Sequence, residues 1–168
     1  MILLKNEWEV KTIQKKVAIS FAEKWHYAHG AGALATRCYG LYYKGDSDTL
    51  HGIAIWNPPA IGAAKAIAIN NYHQGVLGLS RFCLVEGRPE NAGSFLISKS
   101  IRSLDKKRYN ILLTYADTAH NHNGGLYRAA NCNYKGLTGK NPVYRDENDC
   151  IVSRKKGPKT YSKKEMLE

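Results

Sequence analysis

Residues 76–85 read VLGLSRFCLV, an almost unbroken apolar run. A strand wetted on one face alternates apolar with polar residues, so a run without alternation predicts a central strand covered on both faces. That demand fixes the kind of fold, a sheet with helices on either side, and the flanking sequence supplies the parts. Ile13, Val17, Phe21 and Trp25 recur at every fourth position behind Thr12, a good N-cap, which predicts an amphipathic helix over 13–25. RCYGLYY (37–43) and LHGIAIWNPP (50–59) predict a hairpin around KGDSD, ended by Pro58 and Pro59. An Ala- and Gly-rich segment, expected to be mobile, leads up to Gly75. After the apolar run, Asn91 is placed to cap a helix carrying Ile97, Ile101 and Leu104 on one face. YNILLTYAD (109–117) predicts a second buried strand and residues 124–132 a short helix, with YKGLT and CIVSRKK as closing strands. The succession predicts an α+β fold, an α/β sandwich with a mostly antiparallel central sheet and helices on both faces. With 168 residues, a single domain over 1–153 is expected, followed by a basic, flexible tail over 154–168.

Charge narrows the partners. Lys and Arg number 25 against 14 Asp and Glu, a net +11. The last fifteen residues hold six basic and two acidic side chains, so +7 remains on the body. A surface of this kind attracts polyanions, nucleic acid first among them, with a basic surface that serves solubility or an acidic cofactor such as a coenzyme A nucleotide as the alternatives. MILL before Lys5 and Glu7 is neither a signal-peptide core nor a membrane span, so a cytoplasmic protein is expected. Cys38, Cys83, Cys132 and Cys150 form no CxxC pair, which favours reduced thiols over disulfides or a zinc site.

Two stretches carry candidate chemistry. In the first, Leu79–Ser94, a buried strand feeds a polar turn and a helix start, whose unpaired N–H groups and dipole suit a pyrophosphate. Its core is Arg88-x-x-Asn91-x-Gly93-Ser94. The second is YADTAHNHNGGLYRAANCNYKG (115–136), where Asp117, His120, Asn121, His122 and Asn123 precede two glycines, and Tyr127 and Asn131 lie one helical turn apart. Arg81, inside the apolar run, needs an acidic partner or an anion. His26 is either a general base or a satisfied histidine at a helix end. Ser94 either bonds a phosphate or caps its helix. Trp56, Tyr42 and Tyr43 are either core or stacking platforms for a base. Asp117, His120 and His122 could also ligate an ion, with His26 or His29 as a further ligand, but their spacing is not diagnostic and no metal is expected.

The Arg88–Ser94 turn resembles the coenzyme A pyrophosphate loop of GNAT (GCN5-related) acetyltransferases, Gln/Arg-x-x-Gly-x-Gly/Ala, with Asn91 in place of the first glycine. Asn tolerates the left-handed backbone such a position uses. Tyr127 falls on the helix that in those enzymes bears the tyrosine protonating the departing thiolate. Four blocks in order, WHYAHG, LSRFCLV, NAGSFL and YADTAHNHNGGLYRAANCNYKGLT, resemble more narrowly the phage Mom family, a GNAT-like branch that modifies adenine in phage DNA against host restriction. The chain departs from that family at Ala28, where serine is usual, and at Asn121-His122, where Gly-His is common. The resemblance implies catalytic roles for His26, Tyr27, Arg81, Asp117 and Tyr127, and cofactor contacts from Arg88, Asn91, Gly93 and Ser94. It implies substrate contacts from Trp56, His120, His122 and Asn131, acetyl-CoA or a related acyl donor, double-stranded DNA as partner, and room for a homodimer. Two other functions remain open from the residues alone: an acetyl-CoA-dependent acetyltransferase on a protein, RNA or small amine, and a non-catalytic DNA-binding protein that shields sites by occupancy.

Overall fold

The computed structural model describes residues 2–27, 36–118, 122–139, 142–145, 151–152 and 163–166. The chain divides into two compact units, residues 1–116 with 123–132, and residues 117–122 with 133–168. The first unit is built on a five-stranded sheet in chain order: β1 (Trp8–Thr12), β2 (Arg37–Tyr43), β3 (Asp46–Asn57), β4 (Val76–Leu84) and β5 (Ile111–Leu113). The first four strands pair antiparallel and β5 joins β4 in parallel. The helices are α1 (Lys15–Trp25), α2 (Ile61–Ile67), α3 (Ala92–Arg102) and α4 (Gly125–Ala129). The mixed α+β class and mostly antiparallel sheet agree with the sequence.

Strand periodicity sorts the core into two faces. Tyr39, Leu41, Ala54, Trp56 and Leu77 pack with Ala92, Phe95 and Leu96 of α3. Cys38, Ile53, Ile55 and Cys83 pack with Ala18 and Ala22 of α1. A helix thus covers each side, as the apolar run required. The run itself is β4, but β3 and not β4 occupies the middle of the sheet. Only Val76, Leu77 and Gly78 of β4 pair with β5, so Leu79–Phe82 are half-buried instead of fully covered.

The reason lies in a bulge. The β3–β4 register slips between Ile55, opposite Arg81, and Trp56, opposite Leu79, leaving Ser80 as the extra residue. Ser80 Oγ donates to Ile55 O at 3.1 Å and holds the irregularity in place. A bulge bends its strand and increases local twist, and β5 parts from β4 two residues before it. The long buried strand expected over 109–117 is therefore a three-residue edge strand.

Other expectations change for local reasons. Thr12 does not cap α1, because its backbone is extended in β1 opposite Tyr39; Gln14 precedes the helix with no side-chain cap. The sequence reading had no strand at β1. The segment up to Gly75 is not structureless: it holds α2 and two 3-10 turns, Ile69–Asn71 and His73–Gly75. Residues 134–138 form no strand. In the second unit β6 (Pro142–Arg145) pairs antiparallel with β7 (Ile151–Val152) and with β8 (Lys163–Met166). β8 thus falls within the C-terminal basic stretch. Among the described residues, no helix is long and apolar enough to cross a membrane.

Candidate active site

Where β4 ends, a turn at Glu86–Gly87 delivers the chain to α3, and an open groove of about 520 Å³ lies at that junction. Its lining includes Arg88, Glu90, Asn91, Gly93 and Ser94 on one side, Phe82 and Leu84 below, and Leu126 of α4 opposite. All four residues assigned to an anion from the sequence therefore come together here.

The backbone explains the groove. Asn91 adopts φ 66° and ψ −2°, the left-handed conformation anticipated for it, and makes no side-chain cap. Its carbonyl instead accepts from Phe95 N–H at 2.9 Å and from Ser94 Oγ at 3.1 Å. Ser94 thus braces the helix start, and its hydroxyl keeps lone pairs for a donor. By helix geometry the N–H groups of Gly93 and Ser94 have no acceptor inside α3. No acidic residue sits in that first turn, and the Glu90 carboxylate just before it is the acidic group of the groove lining that opposes the positive end of the helix dipole. On the rim, Arg88 Nη1 donates to Val85 O at 3.3 Å, which holds the guanidinium against the turn. Gly93 allows a close approach to α4: a Cβ there would meet Leu126 Cδ1 at 2.7 Å.

α4 is one and a half turns long and ends in a Schellman arrangement. Cys132 N–H donates to Tyr127 O at 2.9 Å and Asn131 N–H to Arg128 O at 3.0 Å, with Asn131 left-handed at φ 61°. Asn131 lies beyond the helix, not one turn along it from Tyr127, and its backbone terminates α4. Tyr127 is half-buried.

Among the other candidates of the first unit, Arg81, His26 and Tyr27 do not line this groove. Arg81 is two residues from Cys83, which packs under α1, so it projects to the face opposite Phe82 and Leu84. Its Nη1 donates to Ser80 O at 2.7 Å across the bulge. Burial pushes the neighbouring Cys83 thiol up to about 12, against the opposing pull of the Arg81 guanidinium. His26 closes α1, its N–H donating to Ala22 O at 3.0 Å; the buried ring stacks on exposed Tyr27 with centroids 4.3 Å apart. Asp117 and His122 belong to the second unit, where His122 N–H donates to Asp117 O at 3.1 Å. His29, His120 and Asn121 lie outside the described residues, so the Asp117–His120–His122 ligand set does too. Among the described residues no three or more His, Cys, Asp and Glu cluster as a metal site.

One assignment is overturned. Trp56 is 2% exposed, with its indole N–H donating to Ser100 Oγ at 3.1 Å, so it is a core residue and cannot stack on a base. Tyr42 is also buried, and Tyr43 leans on Trp8 at 5.4 Å. The sequence reading missed the apolar wall of Phe82, Leu84 and Leu126. Its signal was the i, i+2 spacing of Phe82 and Leu84 opposite Arg81 and Cys83.

A strand–turn–helix anion cradle, followed by the YAD and YRAAN blocks, is the combination that the sequence blocks led one to expect. The family model described as the Mom protein family matches residues 7–167. The chain belongs to the Mom protein family. It is a phage Mom-like DNA modification protein, and the family is associated with modification of adenine in DNA. No curated protein matches the chain.

Proposed function

We propose that this Mom-family protein modifies the exocyclic N6 amine of adenine in double-stranded DNA, in the host cytoplasm, by chemistry related to acyl transfer, and so protects phage DNA from restriction. The observation that carries this reading is the groove at the start of α3. A GNAT-like donor site needs backbone N–H groups free to meet a pyrophosphate, and Gly93 and Ser94 offer them at the positive end of the α3 dipole. The donor set fits acetyl-CoA or a related acyl donor on those grounds, with Arg88 as a rim cation and the Glu90 carboxylate as the one opposing charge. A bound acyl donor would supply an electrophilic carbonyl carbon.

The chain's own residues have the other tasks. Adenine N6 is a weak nucleophile because its lone pair is delocalised into the ring, and in a duplex it is stacked out of reach. The base must be extruded at a cost of roughly a few kcal/mol, which the +11 charge helps to offset through phosphate contacts. His26 is assigned the removal of a proton from the amine, with Tyr27 stacked on it. Tyr127 Oη is assigned the delivery of a proton on the departing side. Arg81 is assigned to developing negative charge, Asp117 to orienting a cation or histidine, and His120, His122 and Asn131 to the base.

Nucleoside mass spectrometry of DNA from cells expressing the protein tests the reading: a fraction of deoxyadenosine should become heavier. Unmodified nucleosides alongside folded protein would sink it, and acetyl transfer to a small amine would instead establish an ordinary acetyltransferase, which the same groove serves equally well. Asp117→Asn separates catalysis from shielding. It should leave DNA affinity unchanged and lower modification by roughly 10²-fold, about 2.7 kcal/mol in the barrier. Full protection of phage DNA by that variant would mean occupancy and not chemistry.

A further inference from the structure

With Trp56 and Tyr42 in the core, the fold has to present another aromatic if it handles a base, and α1 does so. Two stripes run along this helix at four-residue spacing: Lys16, Ser20 and Lys24, and beside them Val17, Phe21 and Trp25. Both line an open groove of about 760 Å³ whose far wall is Thr49, Leu50 and Val85. Trp25 is 42% exposed and Val17 43%. The Phe21 and Trp25 rings lie 6.3 Å apart, and Lys24 Nζ stands 5.0 Å over the Trp25 ring.

We infer that this groove binds unpaired nucleotides of the DNA, with Trp25 as the stacking platform for a base and Lys16 and Lys24 as phosphate contacts. The inference rests on the DNA-modification reading above and adds where on the molecule the strand is held.

A contiguous apolar strip left in water marks an interaction site, and its charges choose the partner. Lys16 and Lys24 line the groove and no Asp or Glu does. Protein interfaces are depleted in lysine at their centre, whereas single-stranded nucleic acid is held by aromatic rings for bases and cations for the backbone. The two lysines lie eight residues apart, about 12 Å along the helix, with Phe21 between them and Trp25 just beyond Lys24. Asp46 stands behind the far wall through its bonds to Thr49. Its hydrogen bonds to Thr49 and Asp48 hold its carboxyl below the usual range, which keeps it anionic. A phosphate is repelled there and drawn toward the lysines. Trp25 also directly precedes His26 and Tyr27, so a base stacked on it lies next in sequence to the residues assigned to proton removal.

The test is fluorescence anisotropy of a labelled single-stranded oligodeoxynucleotide titrated with the full chain across a salt series. Trp25→Ala should weaken binding about tenfold or more, and Trp25→Phe, which keeps a ring, should restore most of it. Lys16→Gln with Lys24→Gln should lower the slope of log K against log salt by roughly 1.4, about 0.7 per phosphate contact. These lysines are exposed, so that arm stands even where Trp25→Ala disturbs the helix end. Wild-type affinity and slope in all the variants would remove the groove while leaving DNA modification intact. Absence of nucleic-acid binding by the wild type would remove both. A wild-type dimer that Trp25→Ala dissolves, with oligonucleotide affinity unchanged, would assign the groove to a second copy of the chain.

Discussion

Replacing Gly93 with alanine probes the donor groove with one methyl group. The new Cβ would sit 2.7 Å from Leu126 Cδ1, with Leu84 Cδ1 and Phe82 Cζ at an ordinary 3.5 Å. Carbon atoms prefer about 3.5–4.0 Å, so Leu126 must withdraw by about 1 Å. Its side chain is half-buried at the edge of an open groove and can turn toward solvent, which keeps the overpacking cost near the low end of about 1–3 kcal/mol. Against that, alanine is favoured over glycine inside a helix by about 0.8–1.0 kcal/mol. The two nearly cancel, and the melting temperature should move by no more than about 4 °C. The groove does not share in the cancellation, because the methyl and the displaced Leu126 crowd the N–H groups of Gly93 and Ser94. Acetyl-CoA affinity, measured by calorimetry, should fall about tenfold or more, equivalent to about 1.4 kcal/mol. A folded variant that binds acetyl-CoA as tightly as wild type would refute the placement of the donor. A loss of stability well beyond 4 °C would show that the close approach of α3 and α4 serves packing first.

Three further perturbations test separate steps. Ser94→Glu sets a carboxylate against the anion position while suiting the helix dipole, so coenzyme binding should vanish on calorimetry with stability changed by only a few tenths of a kcal/mol. Asn131→Gly relieves the left-handed residue that ends α4, and should leave stability equal or higher by up to about 1 kcal/mol with modification unchanged; lost modification without lost stability would restore Asn131 as a substrate contact. Because burial raises the Cys83 thiol to about 12 from an ordinary 9.0, the folded state holds its proton longer than the unfolded state. Its stabilising contribution is complete below about pH 9 and declines as pH climbs toward 12. Urea melts at pH 8 and pH 10 should register that decline, and Cys83→Ala should flatten it.

Much of the fold was legible from the period of the apolar residues. The four-residue recurrence from Ile13 to Trp25 marked α1, although the residues it buries are Ala18 and Ala22 and not Val17 or Trp25, and the apolar run at 76–85 marked β4, which is only half-buried from Leu79 to Phe82. What escaped was set by partners distant in sequence. Thr12 carries the chemistry of a cap, but pairing with Tyr39 held it extended. YNILLTYAD has the composition of a long strand, but β4, its partner among the described residues, bends away toward the Ser80 bulge. Trp56 read equally well as a stacking platform or core; the Ser100 hydroxyl, 44 residues on, decided for core. The turn before α3 was legible from Asn91, whose left-handed backbone is a local demand. The apolar wall against it was not, because Leu126 meets Gly93 only through the packing of α3 on α4.

The two faces of the sheet constrain how the proposed chemistry works. The donor groove opens on the α3 face, where Phe82 and Leu84 floor it. The Trp25 groove and Arg81 belong to the α1 face. A continuous sheet would keep a donor and a base apart, since paired strands leave no passage between faces. β4 is unpaired on its β5 side beyond Gly78, however, and the Ser80 bulge falls within that open stretch. In the proposed reaction the donor and the extruded adenine would meet at the edge of β4 from Leu79 onward, where the pairing with β5 has ended. Arg81, whose Nη1 donates to Ser80 O, lies on the α1 side of that edge. The Ser80 bulge bends β4 within the same stretch, so the proposed meeting point coincides with a place where the strand departs from regular pairing with β3.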